Sequence, residues 1–141
     1  MKLFSIGPLK LPLEIMRKIN YEETEEFRKD LKGLLKRFPT LKEDLELAKR
    51  TTIELFHLQE LNNHSIFPIP RFCSEKIMIC KIKKFACRAL KGRGARSGMR
   101  IIYAFLADED RVIFVEIYFK GNQDLEDQNR IKSLLKALKL E

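Results

Sequence analysis

The chain has 141 residues and a mass of 16.6 kDa, with 45% apolar and 34% charged residues. That balance suits one globular domain with its own core and excludes an intrinsically disordered chain. No apolar run approaches the roughly 20 residues of a membrane-spanning helix, and Gly7, Pro8 and Pro12 interrupt the segment where a signal peptide would need an unbroken apolar stretch. Cys73, Cys80 and Cys87 are odd in number and lack close C-x-x-C pairs, so buried reduced thiols are expected rather than a disulfide framework or a zinc site. The net charge of +8, with a pI of about 9.5, points to an anionic partner. Its distribution is sharper than its total. Residues 1–75 carry +1, residues 76–107 carry +9 with no acidic residue, and residues 108–141 carry −2.

In chain order, residues 1–12 read as an irregular arm, because two prolines and a glycine exclude helix. A domain over 13–141 follows. Leu13 to Tyr21 is expected to form a first strand. Thr24 caps a helix in which Phe27, Leu31, Leu34, Leu35 and Phe38 recur at helical spacing, and Pro39 ends it. Thr40 and Glu43 have capping-box spacing, opening a second helix with Leu41, Leu45, Ala48, Thr52 and Leu55 on one face, to about Gln59. The short break between the two predicts an antiparallel helical hairpin.

Leu61 to Glu75, with Pro68 and Pro70, reads as loop. Ile77 to Leu90 reads as a strand with a bulge near Lys83 and Lys84. Lys91 to Gly98 is a glycine-rich turn. Met99 to Leu106 and Val112 to Phe119 alternate as strands around a polar hairpin at Asp108 to Asp110, a solvated turn rather than a metal site. Strict alternation would place Ile101, Tyr103 and Phe105 on one face with Ile113, Val115, Ile117 and Phe119. Arg100 and Ile102 would then share the other face with Glu116, Tyr118 and Lys120. A final helix would use Leu125, Ile131, Leu134, Leu135 and Leu138. The expected architecture is an α+β fold, an antiparallel-rich sheet packed on an N-terminal helical hairpin, with its second face open and charged.

The glycine-rich segment matches neither nucleotide-binding pattern and leads into a strand, so it lacks the helix N-terminus that cradles a phosphate. A basic loop touching a nucleic-acid backbone is the better functional reading, with Lys84, Arg88, Lys91, Arg93 and Arg96 as phosphate contacts. The sharpest constellation is Arg100, Glu116, Tyr118 and Lys120. Its bland interpretation is a cross-strand Arg100–Glu116 ion pair beside a surface tyrosine. Its functional interpretation is a phosphodiester-cleaving site without metal or cofactor. There Glu116 or a neighbouring lysine is the base, Arg100 with Lys91 or Arg93 holds the phosphate, and Lys120 or Tyr118 is the acid. His57 and His64 fall away from these residues and offer no histidine-based site.

These residues sit within longer matching runs. Residues 27–39 (FRKDLKGLLKRFP), 91–94 (KGRG), 97–103 (SGMRIIY) and 115–120 (VEIYFK) together resemble the RelE/ParE toxins of type II toxin–antitoxin modules. The resemblance runs in order over roughly residues 14–140. It implies a small cytoplasmic α+β toxin neutralised by a protein antitoxin; the ribonuclease members cut mRNA at the ribosome without metal. It matches Lys91 and Arg93 to the family's basic pair, Arg100 to its phosphate-binding arginine, and Lys120 to the lysine ending the last strand. The family's ribonucleases then place an arginine and a catalytic tyrosine, whereas this chain has GNQDLED at 121–127. The functional expectation is an mRNA endoribonuclease toxin. The alternatives are a ParE-like inhibitor of a protein target such as gyrase, or a catalytically inactive RelE-like binding module.

Overall fold

The computed structural model describes residues 17–62, 64–83, 85–89 and 98–140. The arm expected over residues 1–12, and residues 13–16 of the expected first strand, lie outside them. Strand β1 is Asn20–Glu23. Thr24 then turns the chain into α1 (Glu25–Leu35), its Oγ1 accepting from the Phe27 amide at 3.1 Å, as the sequence position predicts. Helix α2 (Leu41–Ala48) passes through a π-helical turn (Lys49–Ile53) into α3 (Glu54–Gln59). The expected capping box at Thr40 does not form. Its Oγ1 instead donates to Asp44 Oδ2 at 2.7 Å and accepts from the Ala89 amide at 2.9 Å. A tertiary contact has taken the side chain from its local role.

The second half holds β2 (Ile66–Pro68), β3 (Met78–Ile82), β4 (Met99–Leu106), β5 (Arg111–Phe119) and α4 (Gln128–Ala137). The Leu61–Glu75 segment is therefore not all loop: β2 pairs with β3 there, and Pro68 is tolerated because β2 is an edge strand. The strand expected over Ile77–Leu90 ends at Ile82. The sheet order is β1-β5-β4-β3-β2, with β1 parallel to β5 and the other pairs antiparallel. The hairpin at Ala107–Asp110 forms as expected, Asp110 adopting φ 45° at its end.

Two apolar layers flank this sheet. On the first face Phe27, Leu31, Leu41, Leu45 and Ile53 from the helices bury Ile101, Tyr103, Val112, Phe114 and Ile117. Phe27 stacks on Phe114 with centroids 5.1 Å apart. On the second face Ile131 and Leu135 of α4 pack on Ile102, Ala104, Ile113 and Val115. This corrects the expectation of an open second face. The final helix starts at Gln128, and Leu125, expected within it, is 64% exposed.

Strict alternation along β5 also fails, for one local reason. The β4–β5 register steps from Ile102↔Glu116 to Tyr103↔Phe114, leaving Val115 as an extra residue in a bulge. The bulge turns Ile113 and Val115 to the second face and Phe114 to the first, opposite to the predicted assignment for Ile113 and Val115. Ile117, Tyr118 and the residues of β4 keep the predicted faces.

Because β1 pairs only with Arg111–Phe114, the rest of the β5 edge needs other partners. The Val115 carbonyl accepts from Thr24 Oγ1 and Arg130 Nη1, both at 3.4 Å, and the Ile117 amide donates to Asp30 Oδ2 at 3.3 Å. Asp30 also accepts two bonds from Arg130 at 2.6 and 3.0 Å. This bidentate pair ties α1 to α4 around the strand edge and fixes where α4 lies.

Candidate nucleic-acid interface

Residues directly opposite in paired strands point to the same face. The pairings Phe67↔Lys81, Lys81↔Ile102 and Arg100↔Tyr118 therefore gather Phe67, Lys81, Arg100 and Tyr118 on the second face. Ladder bonds continue one residue beyond the strands. The Lys83 amide donates to Ser65 O at 2.9 Å, and the Lys120 amide to Gly98 O at 2.8 Å. Lys83 and Lys120 thus stay in register and join that face at the end away from the packed rows of α4. Gly98 has φ +85°, a conformation that suits glycine, and a Cβ there would lie 3.4 Å from the Phe119 ring.

Arg100 is the centre of this end. Its Nη1 donates to the carbonyls of Lys83 at 2.9 Å and Met99 at 3.3 Å. The expected alternative, an Arg100–Glu116 pair, is absent among the described residues. By contrast Arg17, Arg28, Arg88, Arg111 and Arg130 all reach carboxylates. Lys83 and Lys120 are exposed and likewise have no carboxylate partner among the described residues. Lys83 Nζ stands 4.7 Å from the centroid of the Phe67 ring. The patch is therefore a guanidinium aimed by two backbone oxygens, two uncompensated ammonium groups and one half-open aromatic ring.

Of the remaining expected site residues, those described are covered or already engaged. Glu116 is only 3% exposed, and its carboxylate accepts from Gln123 Nε2 and the Asp127 amide, both at 2.7 Å. It anchors the segment leading into α4 and does not face solvent, in contrast to the open-face position expected of it. Tyr118 is buried beneath the same segment, its hydroxyl without a hydrogen-bond partner among the described residues. Burial raises its pKa, with the Lys81 ammonium opposing. The open-face position expected of it is likewise not what the fold gives. Lys81 is engaged as well, 2.7 Å from Glu126 and 5.9 Å from the Tyr118 ring centroid. Burial works against its charge, but Glu126 and Tyr118 together more than offset this and raise its pKa.

Arg88, expected to hold phosphate, is bound elsewhere. Its Nε donates to the buried Asp44 at 2.8 Å and its Nη2 to Glu43 at 2.8 Å, while its amide donates to Asp44 at 3.1 Å. Two carboxylates neutralise it, so it is not a free cation. Lys84, Lys91, Arg93 and Arg96 lie outside the described residues.

His57 is half-buried against the first apolar layer. It stacks on Phe105 at 3.9 Å and shares a 2.7 Å hydrogen bond with the Tyr103 hydroxyl. Cys80 and Cys87 are free and buried, and Cys73 is free and half-buried. No group of three or more His, Cys, Asp or Glu side chains able to hold a metal occurs among the described residues. No helix among them is long and apolar enough to cross a membrane.

Phe67 is the patch member that sequence reasoning missed. Its signal was the apolar run Ile66-Phe67 between Ser65 and Pro68, which the flanking prolines made look like loop. No family model matches the chain, and no curated protein matches it.

Proposed function

We propose that the chain is a RelE/ParE-like toxin component, held by a protein antitoxin, whose target contact is the backbone of RNA gripped by Lys83, Arg100 and Lys120. The helix pair on one face of an antiparallel-rich sheet, followed by a C-terminal helix, agrees with the architecture the resemblance implies. The observation that carries the proposal is Arg100: two carbonyls orient it, no described carboxylate neutralises it, and it is flanked by Lys83 and Lys120, which have no carboxylate partner among the described residues. A guanidinium so placed suits bidentate contact with a phosphate. The +9 charge of residues 76–107 favours polyanions and would also attract an acidic antitoxin segment. Glu116 and Tyr118 are buried beside this patch, so the reading is of RNA binding that blocks translation, without strand cleavage by that pair.

The test combines induced expression with RNA affinity measured across salt. Three phosphate contacts on a single strand predict a slope of log Kobs against log salt of about −2, and Arg100→Ala should remove about 0.7 of it. Growth arrest should weaken in the same variant while its far-ultraviolet circular dichroism is unchanged. New RNA ends in primer extension would reinstate cleavage. Altered DNA supercoiling together with salt-insensitive RNA affinity would refute the RNA reading and favour a gyrase-type target.

A further inference from the structure

Phe67 is a large apolar side chain left 38% exposed on an edge strand, and it does not join either apolar layer. A single exposed aromatic is ordinary on a protein surface. Its surroundings here are not. The ring lies on the same sheet face as Arg100, two strand spacings across and two residues along, about 12 Å. The Lys83 ammonium, 4.7 Å from the ring centroid, engages the ring while its backbone carbonyl accepts from Arg100. One residue thus couples the aromatic to the guanidinium. The short strand brings rigidity too: the Ile66–Pro68 segment is paired along its length with Lys81 and its neighbours, so the ring is held on a sheet and not on a loop.

A cationic track beside an exposed aromatic is the chemistry by which proteins hold single-stranded nucleic acid, with phosphates on the cations and a base on the ring. We infer that Phe67 is a base-stacking platform and that the ligand of this face is single-stranded RNA. This rests on the RNA reading above and adds to it the residue that recognises an unpaired base. In a duplex the bases are stacked on one another and their faces are closed to the ring, so Phe67 would contribute nothing to duplex binding. An acidic peptide could satisfy the cations but has no flat π-face for the ring.

The experiment uses the full chain and four probes in fluorescence anisotropy: oligoadenylate, the same oligomer with abasic sites, a duplex RNA of equal charge, and polyglutamate. Phe67→Ala should weaken oligoadenylate binding about tenfold, equivalent to about 1.4 kcal/mol. It should leave the abasic and duplex probes unchanged. Phe67→Trp should restore or tighten oligoadenylate binding, since the larger ring stacks better. Thermal melts of both variants control for folding; a variant that melts early is measured at a temperature where its helical signal is intact. Equal affinity of wild type and Phe67→Ala for oligoadenylate, with Arg100→Ala weakened, would overturn the platform and leave the RNA reading standing. No RNA binding by the wild type, whatever its affinity for polyglutamate, would overturn both.

Discussion

Replacing Glu116 with alanine tests most directly whether this carboxylate is structural. In the fold its two hydrogen bonds, each 2.7 Å, come from Gln123 Nε2 and from the amide of Asp127, the residue that caps α4. A hydrogen bond to a charged acceptor contributes about 1.5–3 kcal/mol. Losing both is partly offset, because a buried carboxylate no longer has to be desolvated. The net cost is therefore about 2–4 kcal/mol, which for a chain of this size lowers the melting temperature by roughly 10 °C. Glu116→Gln keeps the shape and one acceptor, and should cost about half as much. Thermal denaturation gives the magnitude. Hydrogen exchange gives the location: amides of Gln128–Ala137 should lose protection before those of β4 and β5. At low temperature, where α4 is still docked, RNA affinity should equal that of the wild type. If Glu116→Ala melts within about 0.5 kcal/mol of wild type and yet loses RNA binding or toxicity, the carboxylate faces a ligand and the packing argument is wrong.

Tyr118→Phe removes a buried hydroxyl that has no partner among the described residues, so it should be neutral or stabilising by up to about 1 kcal/mol, with RNA affinity unchanged. Loss of activity at full stability would show that the hydroxyl meets a substrate. His57 is held near a pKa of about 4 by burial, against an ordinary value of 6.5. The unfolded chain therefore binds this proton at higher pH than the native one, and the contribution of about 3 kcal/mol, complete above pH 6.5, drains away as the pH falls towards 4. Urea unfolding of wild type and His57→Gln across that range checks it. The acid-side loss should be smaller in the variant, and identical profiles would refute the assignment.

What the sequence by itself determined lies in short-range pattern. The β4–β5 hairpin follows from period-two alternation around Asp108–Asp110, and the start of α1 follows from Thr24 before a helical repeat. The cationic stretch follows from counting charges. Tertiary structure decided which of those charges stay free. Arg88 meets Asp44 across 44 residues and Lys81 meets Glu126 across 45, separations at which no periodicity carries a signal. The bulge at Val115 is one inserted residue, invisible to an alternation count, yet it reverses the faces of Ile113 and Val115. Ile131 and Leu135 read correctly as an apolar stripe, but a stripe does not say which surface it covers. The Asp30–Arg130 pair at the unpaired edge of β5 sets α4 against the second face, and Glu116 and Tyr118 go under cover with it. Arg100 stayed available because its nearest acceptors were carbonyls of its own sheet, a matter of geometry that only the assembled fold could supply.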